Sequence, residues 1–126
     1  MLAGKNVLLV EDSLIISLDA EDIATRLGAE SVTTAATVEA AQEAIAAGRF
    51  DVAILDINLG DRNSFPIADR LLEKGVPFLF ATGYGEQAQI PFEHRARNVV
   101  QKPYTLENVA RAIDDIFNRD RVSEPA

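Results

Sequence analysis

Polar residues able to do chemistry sit at the ends of four short apolar runs. Glu11-Asp12 follows Val7-Leu8-Leu9-Val10, and Asp56 follows Val52-Ala53-Ile54-Leu55. Thr82 follows Phe78-Leu79-Phe80-Ala81, and Lys102-Pro103 comes soon after Val99-Val100. Grouped together, the three acids form a site for a hard divalent cation. Mg2+ fits best, because it retains several waters and takes only one or two carboxylates plus a phosphate oxygen. Asp12 and Asp56 are then the direct ligands, Glu11 acts through water, and Asn58 offers its backbone carbonyl. Asp56 is the candidate nucleophile, since a carboxylate can attack phosphorus to give an acyl phosphate. Thr82 supplies a hydroxyl to the phosphoryl group. The backbone N–H groups of Gly83 and of Asn58 or a neighbour can approach its oxygens, with no side chain in the way at the glycine. Lys102 brings a point charge suited to phosphate. The trans preference of an X–Pro bond is small, so a cis Lys102–Pro103 bond is open to this chain and would aim the lysine inward. The plain alternative is that Glu11 and Asp12 cap a helix while Asp56 and Thr82 merely end strands. Four coincident signals make that the weaker reading. His94, the one histidine, has no cysteine or second histidine beside it and reads as a solvated surface residue.

Such residues meet only if the strands that carry them lie side by side. The runs at about 5–11, 51–56 and 76–82 are continuously apolar, as in strands covered on both faces. Weaker strands fit 30–35 and 97–101. Helical patterns alternate with them. Ser13 caps the first, which Gly28 stops. Thr37 caps a second ending at Gly48, with Val38, Ala41, Ala44 and Ile45 inward. Ser64, with Pro66 in the first turn, starts a third ending near Gly75. Thr105 starts the last, where Val109, Ala112, Ile113, Ile116 and Phe117 share a face. A further helical segment is expected between Gly85 and Arg97, shortened or broken by Pro91. The pattern predicts a doubly wound α/β domain with a five-stranded parallel sheet in the order 2-1-3-4-5. Its switch point, between strands 1 and 3, brings Glu11, Asp12 and Asp56 together.

The chain has 126 residues, enough for one domain, and no cysteine, so disulfides, thiolate metal sites and cysteine nucleophiles are excluded. Its formal charge of −8 argues against nucleic-acid binding. No apolar run nears the roughly 20 residues of a membrane span, and no signal core follows the N-terminus. A cytoplasmic monomer is expected. The last residues, Val122 to Ala126, read as a frayed tail, so a single domain over 1–126 with no output module is expected.

In this order and spacing, VLLVEDS, DVAILDINL, FLFATGYG and QKPY closely resemble the receiver domains of two-component response regulators, over residues 5–118. The resemblance implies a flavodoxin-like, CheY-like (βα)5 fold. It makes Asp56 the phospho-accepting aspartate, Glu11 and Asp12 the acidic metal pair, Thr82 the switch hydroxyl and Lys102 the family lysine. The implied partner is a histidine kinase whose phosphohistidine donates the phosphoryl group. Receivers usually carry Tyr or Phe where this chain has Val99, three residues before the lysine. Phe80-Ala81-Thr82-Gly83-Tyr84-Gly85 resembles the signature of the FAT GUY subset, which lacks that aromatic and is associated with HWE-type kinases. Without it, the segment from Gly83 to Arg97 is expected to reorganise on phosphorylation. Partner contacts are expected on the face near Tyr84, Val99 and Tyr104.

The resemblance implies signalling rather than turnover of a substrate. An aspartyl-nucleophile phosphatase needs an acid two residues after the nucleophile, where Asn58 stands and cannot donate a proton in that way. A flavodoxin-like cofactor binder needs a phosphate-cradling loop after the first strand, where Glu11-Asp12-Ser13 would repel a flavin phosphate.

Overall fold

A computed structural model describes residues 2–60, 62–83 and 99–122. The elements run β1 (Asn6–Val10), α1 (Leu14–Arg26), β2 (Ser31–Ala35), α2 (Val38–Ala47), β3 (Val52–Asp56), β4 (Asn58–Leu59), β5 (Arg62–Asn63), α3 (Phe65–Lys74), β6 (Phe78–Thr82), β7 (Val99–Gln101) and α4 (Leu106–Val122). Five strands form a parallel sheet in the order β2-β1-β3-β6-β7, which is the expected 2-1-3-4-5. Tyr84, Pro91, His94 and the helix expected between Gly85 and Arg97 lie outside the described residues.

Side chains alternate across the strands, so each strand feeds two cores. Val7 and Leu9 of β1 pack with Ala20, Ile23 and Ala24 of α1 and with Val109, Ile113 and Ile116 of α4. Leu8 and Val10 point the other way, towards Val38, Ala41 and Ile45 of α2 and Ile67, Ala68 and Leu71 of α3. β3 and β6 are buried along their whole length, which accounts for their unbroken apolar sequence.

Helix starts follow side-chain chemistry. The Ser13 and Thr37 hydroxyls accept from the Ile16 and Ala40 N–H groups. Thr105 and Asn108 cap reciprocally, at 2.9 and 3.0 Å. The third helix starts after Ser64 with Pro66 in its first turn and stops at Gly75, as expected. Ser64 occupies the cap position but makes no side-chain cap bond, and the Asn63 side chain instead accepts from the Phe65 N–H at 3.1 Å. The Ser64 hydroxyl is buried without a partner among the described residues.

Two features were not anticipated. β4 and β5 form an antiparallel hairpin immediately after β3. Leu2 is fully buried, and its N–H donates to the Leu27 carbonyl at 2.8 Å. Gly28, at φ +100, lets the chain turn there; a Cβ would stand 3.4 Å from the Ala3 nitrogen. Leu2→Ala is expected to lower stability by about 2–4 kcal/mol, as for other core leucines. Leu14→Ala, at a side chain 73 % exposed, should shift it by less than about 0.5 kcal/mol. Urea denaturation of both variants checks the contrast, and equal effects would contradict this placement of Leu2.

Candidate functional site

Strand register assembles the site. Val10 is level with Leu55, so Glu11, one residue on, lies beside Asp56. Asp56 is level with Ala81, which puts Thr82 just beyond it. Thr82 is level with Gln101, and the Lys102 N–H donates to the Thr82 carbonyl at 2.8 Å. The Lys102–Pro103 bond is cis. Four parallel strands thus deliver Glu11, Asp56, Thr82 and Lys102 to one edge.

Lys102 Nζ lies 2.9 Å from Glu11 Oε1 and 3.0 Å from Asp56 Oδ1. The side chains of both acids are almost wholly buried. Sequence reasoning gave the lysine to phosphate; the structure shows it bridging two carboxylates. Glu11 Oε2 also accepts from the Ser13 N–H at 3.1 Å. Asp12 is exposed, and its Oδ2 accepts from the Gly60 N–H at 2.9 Å. Oxygen atoms of Glu11, Asp12 and Asp56 all lie within 4.8 Å of one another. Asn58 opens β4 two residues past Asp56, level with Asn63. Thr82 is fully buried, its hydroxyl without a partner among the described residues, and Gly83 follows it.

Burial pushes Asp56 up to about 7, with Glu11 adding to the rise, even though Lys102 pulls it down. Burial works against the Lys102 ammonium too, but hydrogen bonds to Glu11 and Asp56 outweigh it and raise its pKa. One ammonium therefore under-compensates three carboxylates. A hard divalent cation with oxygen ligands suits that deficit, and the donor set contains nothing softer.

Two expectations need correction or completion. Tyr104 was expected near a partner face; it is buried, with a hydroxyl that has no partner among the described residues and whose pKa burial raises, helped by the Glu11 and Asp56 charges. It cannot present its ring to a partner from there. Gly60 was missed, although Gly60-Asp61 between two asparagines is a turn signal.

The response regulator receiver domain profile matches residues 7–114, and the chain belongs to that family. Similar solved structures include SdrG from Sphingomonas melonis Fr1, 36 % identical with a TM-score of 0.79 over 93 % of this chain and 99 % of that one. A BeF3-activated SdrG from Pseudomonas melonis Fr1 is 37 % identical, TM-score 0.75, over 90 % and 97 %. The receiver domain of Erythrobacter litoralis PhyR is 28 % identical, TM-score 0.80, over 98 % and 96 %. Among curated relatives, the sensory transduction protein LytT of Bacillus cereus is 32 % identical over 85 % of this chain. The match spans only 45 % of that relative and 36 % of the Enterococcus faecalis LytT. Among the described residues no helix is long and apolar enough to cross a membrane.

The raised Asp56 pKa has a signed consequence. Between an unfolded value near 4 and a folded value of about 7, the native state holds a proton that the unfolded chain has lost. This contribution to stability is full below about pH 4 and disappears as pH rises through 7. Metal-free protein should therefore lose Tm between pH 5 and 8, and Asp56→Asn should flatten that slope. Mg2+ should raise the wild-type Tm more at pH 8 than at pH 5.5, where the proton competes for the same carboxylate. Thermal scans of both proteins with and without MgCl2 check this. Equal slopes in wild type and variant would contradict it.

Proposed function

We propose that this receiver takes a phosphoryl group onto Asp56 from the phosphohistidine of a histidine kinase and thereby switches a protein partner. The observation that carries the reading is the Lys102 ammonium set between Glu11 and Asp56, beside the Asp12 carboxylate. Asp56 Oδ attacks phosphorus, the P–N bond to the imidazole breaks, and the freed nitrogen takes a proton from solvent. Hydrolysis of the acyl phosphate later returns inorganic phosphate and the carboxylate. Asp12 and Asp56, with the Asn58 carbonyl and with Glu11 behind them, would hold Mg2+. When bound, the ion offsets repulsion between the attacking carboxylate and the incoming phosphoryl oxygens.

This chain's own residues do the rest. Lys102 can follow negative charge from the carboxylates to the phosphoryl oxygens. The unpartnered Thr82 hydroxyl gains an acceptor when a phosphoryl group arrives, which ends the penalty of an unsatisfied buried donor. The Gly83 backbone lies next to it. With Val99 in place of the usual aromatic, the signal leaves Thr82 by a route other than an aromatic swing, in keeping with membership of the FAT GUY subset and an HWE-type kinase as donor. Asn58, two residues past the nucleophile, supports a signalling role over phosphatase turnover. The receiver acts as a cytoplasmic monomer that either engages a partner or serves as a phosphate sink.

The donor needs a seat. Leu14, Ile15 and Leu18 of α1 are 73, 82 and 56 % exposed, one turn past the acidic pair. Such a clustered apolar surface suits the apolar face of a helical donor.

Incubation with acetyl phosphate and Mg2+, followed by intact-mass measurement, should add one phosphoryl group to the wild type and none to Asp56→Ala. Modification of the variant, or none of the wild type, would overturn the assignment. Separately, Leu14→Ser with Ile15→Ser should slow transfer from a phosphorylated histidine kinase by about tenfold or more, as loss of an interfacial anchor does. Labelling by acetyl phosphate should be unchanged. Equal slowing with both donors would place the effect on the site rather than on docking.

A further inference from the structure

Glu11 and Asp56 are buried and pinned by Lys102, but Asp12 is exposed and needs another restraint. Among the described residues, the hydrogen bond that fixes its carboxylate comes from the Gly60 N–H at 2.9 Å. One carboxylate oxygen is thereby occupied, and the second can be turned to a cation. Gly60 sits at the turn of the β4–β5 hairpin, at φ +68, where only glycine is at ease.

That hairpin has two residues per strand and cannot hold its shape alone. It is fastened from two sides. Leu59 is buried in the core with Ile57, and Arg62 forms an ion pair with Glu39 in the first turn of α2. The Glu39 carboxyl is held below its ordinary value by a backbone hydrogen bond at the helix start and then by Arg62. Between hairpin and helix lies a cleft of about 300 Å3 bordered by Asp12, Thr37 and Arg62.

We propose that the β4–β5 hairpin is a latch for the cation site: Arg62–Glu39 fastens it to α2, and the Gly60 N–H sets the orientation of the Asp12 carboxylate. Gly60, Arg62 and Glu39 are then positioning residues, remote from the phosphoryl group itself. The inference rests on the cation reading above. It explains why an exposed ion pair, of little value to global stability, is built at this spot. It also gives the turn a role in affinity, because partners of metal ligands commonly control it by tenfold or more.

Calorimetric titration of the metal-free full chain with MgCl2 tests it. Gly60→Ala strains the turn without a clash, since a Cβ there meets nothing within 4 Å. It should weaken Mg2+ binding about tenfold. Arg62→Gln and Glu39→Gln should each weaken it several-fold, the pair together no more than either alone. The swap Glu39→Arg with Arg62→Glu should restore most of the affinity. A second readout needs no metal: the Gly60 amide proton resonance should move upfield in Arg62→Gln and in Asp12→Asn. Wild-type affinity in all three single variants, or an unmoved Gly60 amide, would overturn the latch while leaving the cation site standing. A wild type that binds no Mg2+ would overturn both.

Discussion

The Lys102 ammonium between Glu11 and Asp56 is the interaction on which the remainder of the structure depends. Two carboxylates buried side by side repel each other and lose most of their hydration. Only an ammonium at 2.9 and 3.0 Å makes the arrangement tolerable. Even so, burial pushes Asp56 up to about 7, so the compensation is incomplete. A carboxylate held in that condition favours any further positive charge, and it stands ready to exchange charge repulsion for a covalent bond to phosphorus.

Such a cluster requires a rigid frame, which parallel register supplies. Each strand ends beside its neighbour, and the two cores on either face of the sheet prevent the ends from sliding. A shift of one residue would turn Asp56 into a core and bring Leu55 to the edge. Loops then add what strands cannot. Ser13 steadies Glu11, Gly60 steadies Asp12, and the Lys102 backbone bonds to that of Thr82. Each of the three acids is thereby held, Glu11 and Asp56 by the lysine and Asp12 by the turn.

Much of this was legible from residue order. Continuous apolar runs ending in Glu11, Asp56 and Thr82 declare buried parallel strands, because only strands covered on both faces need no polar alternation. Ser13, Thr37 and Thr105 marked helix starts through ordinary capping chemistry. Other features had no local signature. Leu2 is buried because the chain folds back on the loop after α1, a long-range event. The Asn63 side chain, rather than that of the cap residue Ser64, accepts the Phe65 N–H at the start of α3. Tyr104 next to Pro103 has no local mark of burial, and it is its place in the core shared by the sheet, α1 and α4 that buries it. The ion pairs of Lys102 with two buried acids likewise have no local signature, and they stand beside its reading as a phosphate ligand.

The most direct test of a phosphoryl-accepting pocket at Asp56 is fluorine-19 NMR of the protein with beryllofluoride, with and without Mg2+. Beryllofluoride imitates a phosphoryl group bonded to a carboxylate oxygen. Bound fluorine resonances should appear only when Mg2+ is present and should vanish in Asp56→Asn. Bound signals that persist in that variant, or their absence from the wild type with Mg2+, would contradict the account.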